Sequence, residues 1–498
     1  MNNIITFKTE NNYNYIYNLS MKQFCLIDDV TYEIFRLLEK GIELSKIQER
    51  DFDIDTLKLM EGLPLDFYIS KATAFLSKME NDWRPEVIGQ FSSEQIKREF
   101  FRSPQIVFEV TEKCNLACKY CAYGSFYTGF DKRVNKSLNT EYAKNLIKYI
   151  FSNKDMVSQQ HITISFYGGE PLLNIGFIEE IVNFCKKHTT KNQVLKFTMT
   201  TNGTLLNKYI KFLVKHNFEV LISIDGNRKN NSYRIYKNGR ESFFDIIKNI
   251  ELIAKEHSSF FERNVNFIAV LHNKNSIRAV NDFIFGTYGK YPFISEIAPD
   301  GVLPNKKNDF LEMFKNKHED LLQTKDYYYQ LTKKNIEKTP DFDSSVSFIN
   351  NLTNLKISDF SQINNLKTSQ DRIIPTGTCL PFQRKIFVTA NGKILPCEGI
   401  DHLHSLGRVD CDNVSIDFKA IAKSHNLFLN KIARQCEKCY RITSCANCIY
   451  TMDFSNNSPI CDENADKREF TKYLSEEISF LESNKQVIKK VLYETELS

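Results

Sequence analysis

The pattern of apolar and polar positions changes twice along the chain. In the first hundred residues, short apolar runs at Ile4 to Phe7, Tyr13 to Tyr17 and Gln23 to Ile27 are separated by Asn-rich turns and read as three strands. Asp28 and Asp29 then suit a helix start, Val30, Ile34, Phe35 and Leu38 recur at helical spacing, and Gly41 ends the run. Two more helical stretches follow around Thr56 to Met60 and Lys71 to Met79. Strands followed by helices predict a winged-helix-like α+β module over residues 1–95.

From about residue 104 the texture becomes an alternation of β and α segments. Strands are expected at Ile106 to Val110, Ile162 to Tyr167, Leu195 to Thr200, Val220 to Ile224, Val265 to Leu271 and Phe293 to Ile297. Helical patterns lie between them at Glu141 to Phe151, Phe177 to Lys187, Asn207 to His216, Ser242 to Lys255 and Ser276 to Phe285. Six such repeats imply a parallel sheet with right-handed crossovers, closed into a complete or partial barrel over residues 104–308. Residues 309–371 are polar and helical in period, as for a connection between domains. A Cys-rich region, 372–498, follows, with a short strand at Lys385 to Thr389, a turn at Asn391-Gly392 and a closing helix from Lys467 to Leu492. The fold class is therefore α/β, a partial barrel flanked by two smaller modules.

Length and composition fit this division. A chain of 498 residues exceeds one growing core, and 42% hydrophobic with 13% aromatic residues can fill several. The 66 basic and 61 acidic side chains nearly cancel without forming Lys/Arg blocks, so nucleic acid is not an implied partner. The opening residues lack signal-peptide character, and no window reaches the length of a membrane span, which gives the expectation of a cytoplasmic protein with no membrane partner. Thirteen cysteines in that setting argue for metal or redox chemistry rather than disulfides. Ten fall into two groups, while Cys25, Cys185 and Cys411 read as ordinary small thiols.

Cys114, Cys118 and Cys121 form a Cys-x3-Cys-x2-Cys run directly after the first barrel strand, where parallel α/β folds place active sites. A structural zinc site wants four ligands in paired spacing, and no fourth Cys or His lies nearby. Three thiolates holding a 4Fe-4S cluster leave one iron open for a substrate or cofactor. The run, with aromatic Tyr120 before its last Cys, resembles the signature of the radical S-adenosylmethionine superfamily. Gly168, Gly169, Glu170 and Pro171, after the second strand, resemble that family's GGEP motif, which implies a seat for the amino group of S-adenosylmethionine. Asn202, in Thr201-Asn202-Gly203, and Ser223 and Asp225, in Ser223-Ile224-Asp225-Gly226, resemble the segments near its ribose and carboxylate. Arg234 is the residue kept from a further His-Asp-x-x-Arg stretch and implies a carboxylate clamp.

The second group, Cys379, Cys397, Cys436, Cys439, Cys445, Cys448 and Cys461, resembles a SPASM domain, which carries auxiliary iron-sulfur clusters; a zinc ribbon is the alternative reading of its paired units. Carried over by position, Cys436, Cys439, Cys445 and Cys461 hold a distal cluster and Cys379, Cys397 and Cys448 a proximal one. The proximal set is one thiolate short, and Cys411, Glu398 and His402 are candidates for its fourth ligand. Glu398 also stands where sulfatase-maturing relatives keep a catalytic Asp. The run from Phe387 to Val409 resembles peptide maturases of the GG-Bacteroidales type.

A three-stranded module before such an enzyme resembles the RiPP recognition element, which captures a leader peptide as an added strand. A DNA-binding winged helix is the rival, but the helix carrying Glu33 and Glu39 against Arg36 suits phosphate poorly. The resemblances together imply a deoxyadenosyl radical that takes hydrogen from a ribosomally made precursor peptide and leaves an intramolecular crosslink, a thioether or another bond. They also imply an external electron donor such as flavodoxin or ferredoxin. The alternatives are an anaerobic sulfatase-maturing enzyme making formylglycine and, from a different class, a zinc-dependent binding module.

Overall fold

The structure is a computed structural model that describes residues 4–19, 21–79, 86–87, 90–153, 161–189, 194–299, 301–323, 340–353, 372–373, 379–445, 447–450, 452, 459–461 and 464–493. By internal packing the chain divides into two compact units, each built from separated stretches: residues 1–90, 331–378 and 426–498 in one, 91–330 and 379–425 in the other.

In the first unit, β1 (Ile4–Lys8), β2 (Asn14–Asn18) and β3 (Gln23–Ile27) form an antiparallel sheet in that order. Successive strand side chains point to opposite faces, and here both faces are buried. Ile16 and Ile27 pack with Val30, Ile34, Phe35 and Leu38 of the helix Asp29–Glu39 and with Tyr68 and Ala72 of the helix Leu65–Met79. Ile5, Phe7 and Tyr17 pack with Phe348 and Leu352 of the helix Pro340–Leu352, Phe470 and Leu474 of the helix Lys467–Ser483, and Val487 and Val491 of the helix Lys485–Tyr493. Asp28 starts the first of these helices as expected, its carboxylate accepting the Thr31 N–H at 2.8 Å. The closing helix, expected unbroken, is two helices: Asn484 leaves helical geometry at φ −130° and its N–H turns to the Leu481 carbonyl. The strand β4 (Glu86–Val87) belongs to this unit and pairs with a strand near residue 372.

The second unit holds the six expected barrel strands: β5 (Gln105–Thr111), β6 (His161–Gly168), β7 (Val194–Thr201), β8 (Glu219–Ser223), β9 (Val265–Leu271) and β10 (Phe293–Glu296). All neighbours are parallel, and the order follows the sequence. The helices Thr140–Ser152, Ile175–His188, Leu206–Lys215, Phe243–Glu256 and Ile277–Tyr288 connect them, each burying one apolar stripe. A helix at Ser93–Arg102, opened by a capping box between Ser92 and Gln95, precedes β5, and a short helix at Ser258–Asn264 was not expected from the pattern.

The strand near residue 372 is β11 (Arg372–Ile373). The sheet of the second unit does not stop at β5. β12 (Ile386–Val388) pairs parallel to it, Ile386 opposite Ile106 and Val388 opposite Phe108, and β13 (Lys393–Leu395), β14 (Gly407–Val409) and β15 (Val414–Ile416) continue as an antiparallel meander. The first part of the Cys-rich region is thus a four-stranded continuation of the barrel sheet, which becomes ten-stranded, rather than a separate sheet. Of the expected helical connection, Lys307–Met313, Lys317–Leu322 and Pro340–Leu352 are helices, and residues 324–339 and 354–371 lie outside the described ones.

Glu109 ties β5 to this extension. It is 2% exposed, holds Arg133 at 2.6 Å and accepts the Ala390 N–H at 2.9 Å. Glu109→Ala would strand a half-buried guanidinium and one backbone donor, so it is expected to cost about 3 to 5 kcal/mol, read as a lowered urea midpoint by circular dichroism.

Candidate active site

The Cys loop leaves β5 where the register with β6 shifts between Glu109 and Thr111. It then crosses to the segment after β8: Leu116 bridges Tyr236, the Ala117 N–H reaches the Ile235 carbonyl at 2.7 Å and the Lys119 N–H the Tyr233 carbonyl at 3.2 Å. Cys114, Cys118 and Cys121 are all partly buried. Burial pushes the Cys118 thiol up to about 12, Arg234 opposes this, and Cys121, Asp225 and Cys114 reinforce it. The three sulfurs therefore share one electrostatic environment. Cys114 Sγ also accepts N–H bonds from Leu116 at 3.4 Å and Asn202 at 3.8 Å.

These residues fit a 4Fe-4S cluster. N–H donors aimed at sulfur are one of the means by which proteins stabilise and tune such clusters. Among the described residues, no group of three His, Cys, Asp or Glu side chains converges as ligands of a single ion do. Cluster binding at Cys118 would displace a proton that burial otherwise holds on the thiol.

The Gly-Gly-Glu-Pro turn locks onto the start of this loop. The Gly169 N–H donates to the Thr111 carbonyl and the Glu170 N–H to the Lys113 carbonyl, both at 2.8 Å. Gly168 sits at φ +131°, and a Cβ on Gly169 would lie 2.2 Å from the Lys113 oxygen, so the close approach requires glycine. Glu170 is fully buried and turned toward its own chain: it accepts the Leu172 N–H, the Thr201 hydroxyl at 2.7 Å and the Asn202 N–H at 2.8 Å. Burial raises its carboxyl to about 7 against those three donors. Pro171 is buried and opens a single 3-10 turn behind it. Asn202, 7% exposed, also donates to Asn115 Oδ1 at 2.8 Å, so the end of β7 grips the Cys loop directly.

Asp225 is the second buried anchor. Arg234 Nη2 donates to it at 3.1 Å and Arg234 Nε stands at 3.1 Å as an ion pair without hydrogen-bond alignment, the Tyr120 hydroxyl and the Val270 N–H donate to it, and His272 Nε2 stands 3.6 Å away. The Lys274 N–H donates to His272 Nδ1, which places the ring proton on the nitrogen facing Asp225. Burial alone would raise the Asp225 carboxyl, but the Arg234 charge and then His272 hold it at about 2. Tyr120 stacks on His272 with ring centres 5.5 Å apart. The carboxylate that Arg234 clamps in this structure is Asp225's own. Ser223, half-buried, ends β8 opposite Ile268.

His272, Asn275 and Asn231 were missed as site residues. His272 follows β9 at the same end as the other site residues, Asn275 donates to the Asp225 carbonyl at 3.3 Å, and Asn231 Oδ1 accepts the Asp225 N–H at 3.1 Å. Their position just past strand ends was the available signal.

In the Cys-rich region, Cys436, Cys439, Cys445 and Cys461 act on one another: burial and then the other three cysteines push the Cys436 thiol up to about 12. Ala465 N–H to Cys439 Sγ and Asn447 Nδ2 to Cys461 Sγ, each 3.4 Å, repeat the N–H to sulfur pattern. Cys379 and Cys397 belong to the barrel unit and Cys448 to the other. Glu398 is ion-paired with Lys385 at 3.0 Å and accepts from Cys397 Sγ at 3.7 Å. Burial and then the Glu398 charge raise Tyr167, at the end of β6, to about 12. His402 instead faces Asp131 at 3.4 Å and Phe130, and Cys411 is exposed beside Asn139. Of the three candidate fourth ligands, only Glu398 has a described bond to a cysteine of the proximal set.

The model of the radical SAM superfamily matches residues 108–284. An uncharacterised protein of Methanocaldococcus jannaschii is 32% identical over 239 residues, 47% of this chain and 75% of that protein. A cysteine-type anaerobic sulfatase-maturating enzyme of Clostridium novyi is 33% identical over 191 residues, 38% of this chain and 48% of that enzyme. The radical SAM cyclopropyl synthase TigE of Paramaledivibacter caminithermalis is 26% identical over 251 residues, 48% of this chain and 51% of that enzyme. The chain thus spans about half the length of the last two relatives. It belongs to the radical SAM superfamily, whose members use a 4Fe-4S cluster and S-adenosylmethionine. No helix among the described residues is long and apolar enough to cross a membrane.

Two outcomes follow. Gly169→Ala should displace the Cys loop and lower iron bound per chain after anaerobic reconstitution, measured by iron and sulfide analysis. Glu170 has a folded-state pKa raised above its ordinary 4.5 to about 7, so its neutral form is the favoured one when folded. The stability that Glu170 contributes is therefore fully present below pH 4.5 and is lost as pH rises through about 7, by an amount on the order of 3 kcal/mol. Urea midpoints at pH 5 and pH 8 should differ by less in Glu170→Gln than in the unsubstituted protein.

Proposed function

We propose that the chain modifies a ribosomally made precursor peptide, taking hydrogen from one residue and installing an intramolecular crosslink, a thioether or another bond. When bound, S-adenosylmethionine and a reduced 4Fe-4S cluster supply an organic radical able to abstract that hydrogen. Cys114, Cys118 and Cys121 hold the cluster, with Tyr120 bracing the loop. Gly168 to Pro171, Asn202, Ser223 and the Asp225–Arg234 pair shape the cofactor seat. Cys436, Cys439, Cys445 and Cys461 hold a distal auxiliary cluster, and Cys379, Cys397 and Cys448 a proximal one. Glu398, partly exposed beside Cys397 and Tyr167, is the base or proximal ligand.

The observation that carries the peptide reading is a sheet edge, in the module of residues 1–95, that has no neighbouring strand among the described residues. The outer side of β1 is occupied: Ser475 Oγ donates to the Lys8 carbonyl at 2.7 Å, and the Glu10 N–H donates to Ser479 Oγ at 2.9 Å. β3 is the other edge, with no strand beyond it among the described residues, and Leu26 on it is 59% exposed. An extended leader peptide can add there as a fourth strand, main-chain bonds giving affinity and side-chain pockets giving choice. The relatedness to a sulfatase-maturating enzyme favours a second reading, formylglycine formation.

The two readings separate on the product. Co-expression with a short peptide encoded nearby should give a mass loss of two hydrogens without a hydrazide-reactive aldehyde; an aldehyde would favour formylglycine. Deleting residues 1–95 would expose Phe348 and Phe470 from the first unit's core, so Leu26→Asp is the better probe. It should raise KM for the full peptide about tenfold with little change in kcat, and leave a leaderless peptide unaffected. Glu398→Gln should abolish peptide product while cleavage of S-adenosylmethionine continues, measured by chromatography of deoxyadenosine.

A further inference from the structure

Beyond Cys121 the Cys loop returns to its own base. Glu112, 7% exposed, accepts the Val134 N–H at 2.8 Å and the Lys136 N–H at 2.9 Å, so residues 112–136 close into one loop that carries the three cysteines. Within it, residues 129–131 meet the segment that leaves β13. The His402 N–H donates to the Gly129 carbonyl at 2.8 Å, and the Asp131 N–H donates to His402 Nδ1 at 3.2 Å. The buried His402 ring stands edge-to-face with Phe130, ring centres 5.3 Å apart. Lys393 of β13 holds the Asp131 carboxylate at 2.6 Å, and Asn391 Nδ2 bridges Asp131 and Glu112 at 3.3 and 3.4 Å.

Two features set this contact apart from ordinary packing. Because Nδ1 accepts a backbone N–H, the proton of the neutral ring is on Nε2, and that atom is buried with no hydrogen-bond partner among the described residues. An apolar ring would fill the same place without stranding a donor, so the imidazole is there for what Nδ1 holds. Gly129 lies at φ +94°, and a Cβ on it would come 2.5 Å from Asp401 Oδ2, so the two segments approach as closely as glycine allows. Cys397 and Glu398 lie between Lys393 and His402. Their segment is held at its start by the pairing of β13 with β12 and β14, and at its end by His402. Between these ends, Gly399 has open space where a side chain would stand, and Glu398 is tied to Lys385 at 3.0 Å. Where His402 docks therefore decides where Cys397 and Glu398 stand relative to the Cys loop.

We propose that His402 is the positioning residue that fixes Glu398 and Cys397 against the loop of Cys114, Cys118 and Cys121, an assignment that rests on the reading of Glu398 as the base or proximal ligand. A displacement on the order of 1 Å at a reacting group costs about a hundredfold in rate. His402 thus acts on the peptide step and leaves cleavage of S-adenosylmethionine to the first site.

The test compares three variants of the anaerobically reconstituted enzyme, with the short peptide encoded nearby as substrate. His402→Phe keeps a ring against Phe130 but loses the acceptor, His402→Asn offers a side-chain oxygen to the Asp131 N–H in place of Nδ1, and Gly129→Ala forces the two segments apart. His402→Phe and Gly129→Ala should lower kcat for peptide product about a hundredfold with KM little changed, while cleavage of S-adenosylmethionine stays within about twofold. His402→Asn should restore most of the product. Hydrogen–deuterium exchange should rise together at residues 128–132 and 396–402, at least about tenfold, in the first and third variants, with the barrel helices unchanged. Full peptide turnover in His402→Phe would overturn the proposal, as would a loss in His402→Asn equal to that in His402→Phe, or unchanged exchange at residues 396–402. If instead Glu398→Gln leaves the peptide product intact, the reading of Glu398 fails, and exchange at residues 396–402 still decides the docking role of His402.

Discussion

A loop with almost no regular structure has to hold three thiols in fixed relation, and two buried carboxylates make that possible. Glu170 joins the ends of β6 and β7, and its own backbone N–H is bonded to the loop. Asp225, at the end of β8, collects Tyr120 from the loop, Arg234 from the following turn, and His272 from beyond β9. A buried carboxylate is costly unless several donors meet it. Here the donors come from different strand ends, so that cost is offset only when the strands and the loop are assembled together. Placement of the cysteines is thereby made dependent on the whole barrel sheet.

The two anchors differ in electrostatic character. Asp225 has a buried cation beside it and stays ionised, whereas Glu170 has only neutral donors and is shifted toward its neutral form. Charge near the thiols is thus carried by the Asp225–Arg234 pair, which opposes the burial effect on Cys118 through the arginine. Two carboxylates at neighbouring strand ends therefore do different work because only one of them has a cationic partner.

The continuation of the sheet through β12 to β15 gives the second cysteine group a double character. Cys379, Cys397 and Glu398 stand on the framework that carries the first cysteines, joined to it through Ile386, Phe387 and Val388 against β5. The distal quartet is built in the unit that contains the three-stranded sheet. The first cysteines and the distal quartet therefore stand on differently built parts of the chain.

Much of this was legible in the residue order. The six barrel strands, their helices and the Cys114 to Cys121 signature follow from periodicity and spacing, which are local properties of the chain. The grouping of Cys436, Cys439, Cys445 and Cys461 as one ligand set rests on family resemblance. Other features depend on contacts between distant residues. That Glu170 faces Thr201 and Asn202, that Arg234 is spent on Asp225, that His272 joins the site and that β12 extends the barrel sheet could be decided only by folding. Each is a pairing of groups from separate strands, and no local pattern of polarity encodes which strand ends will meet.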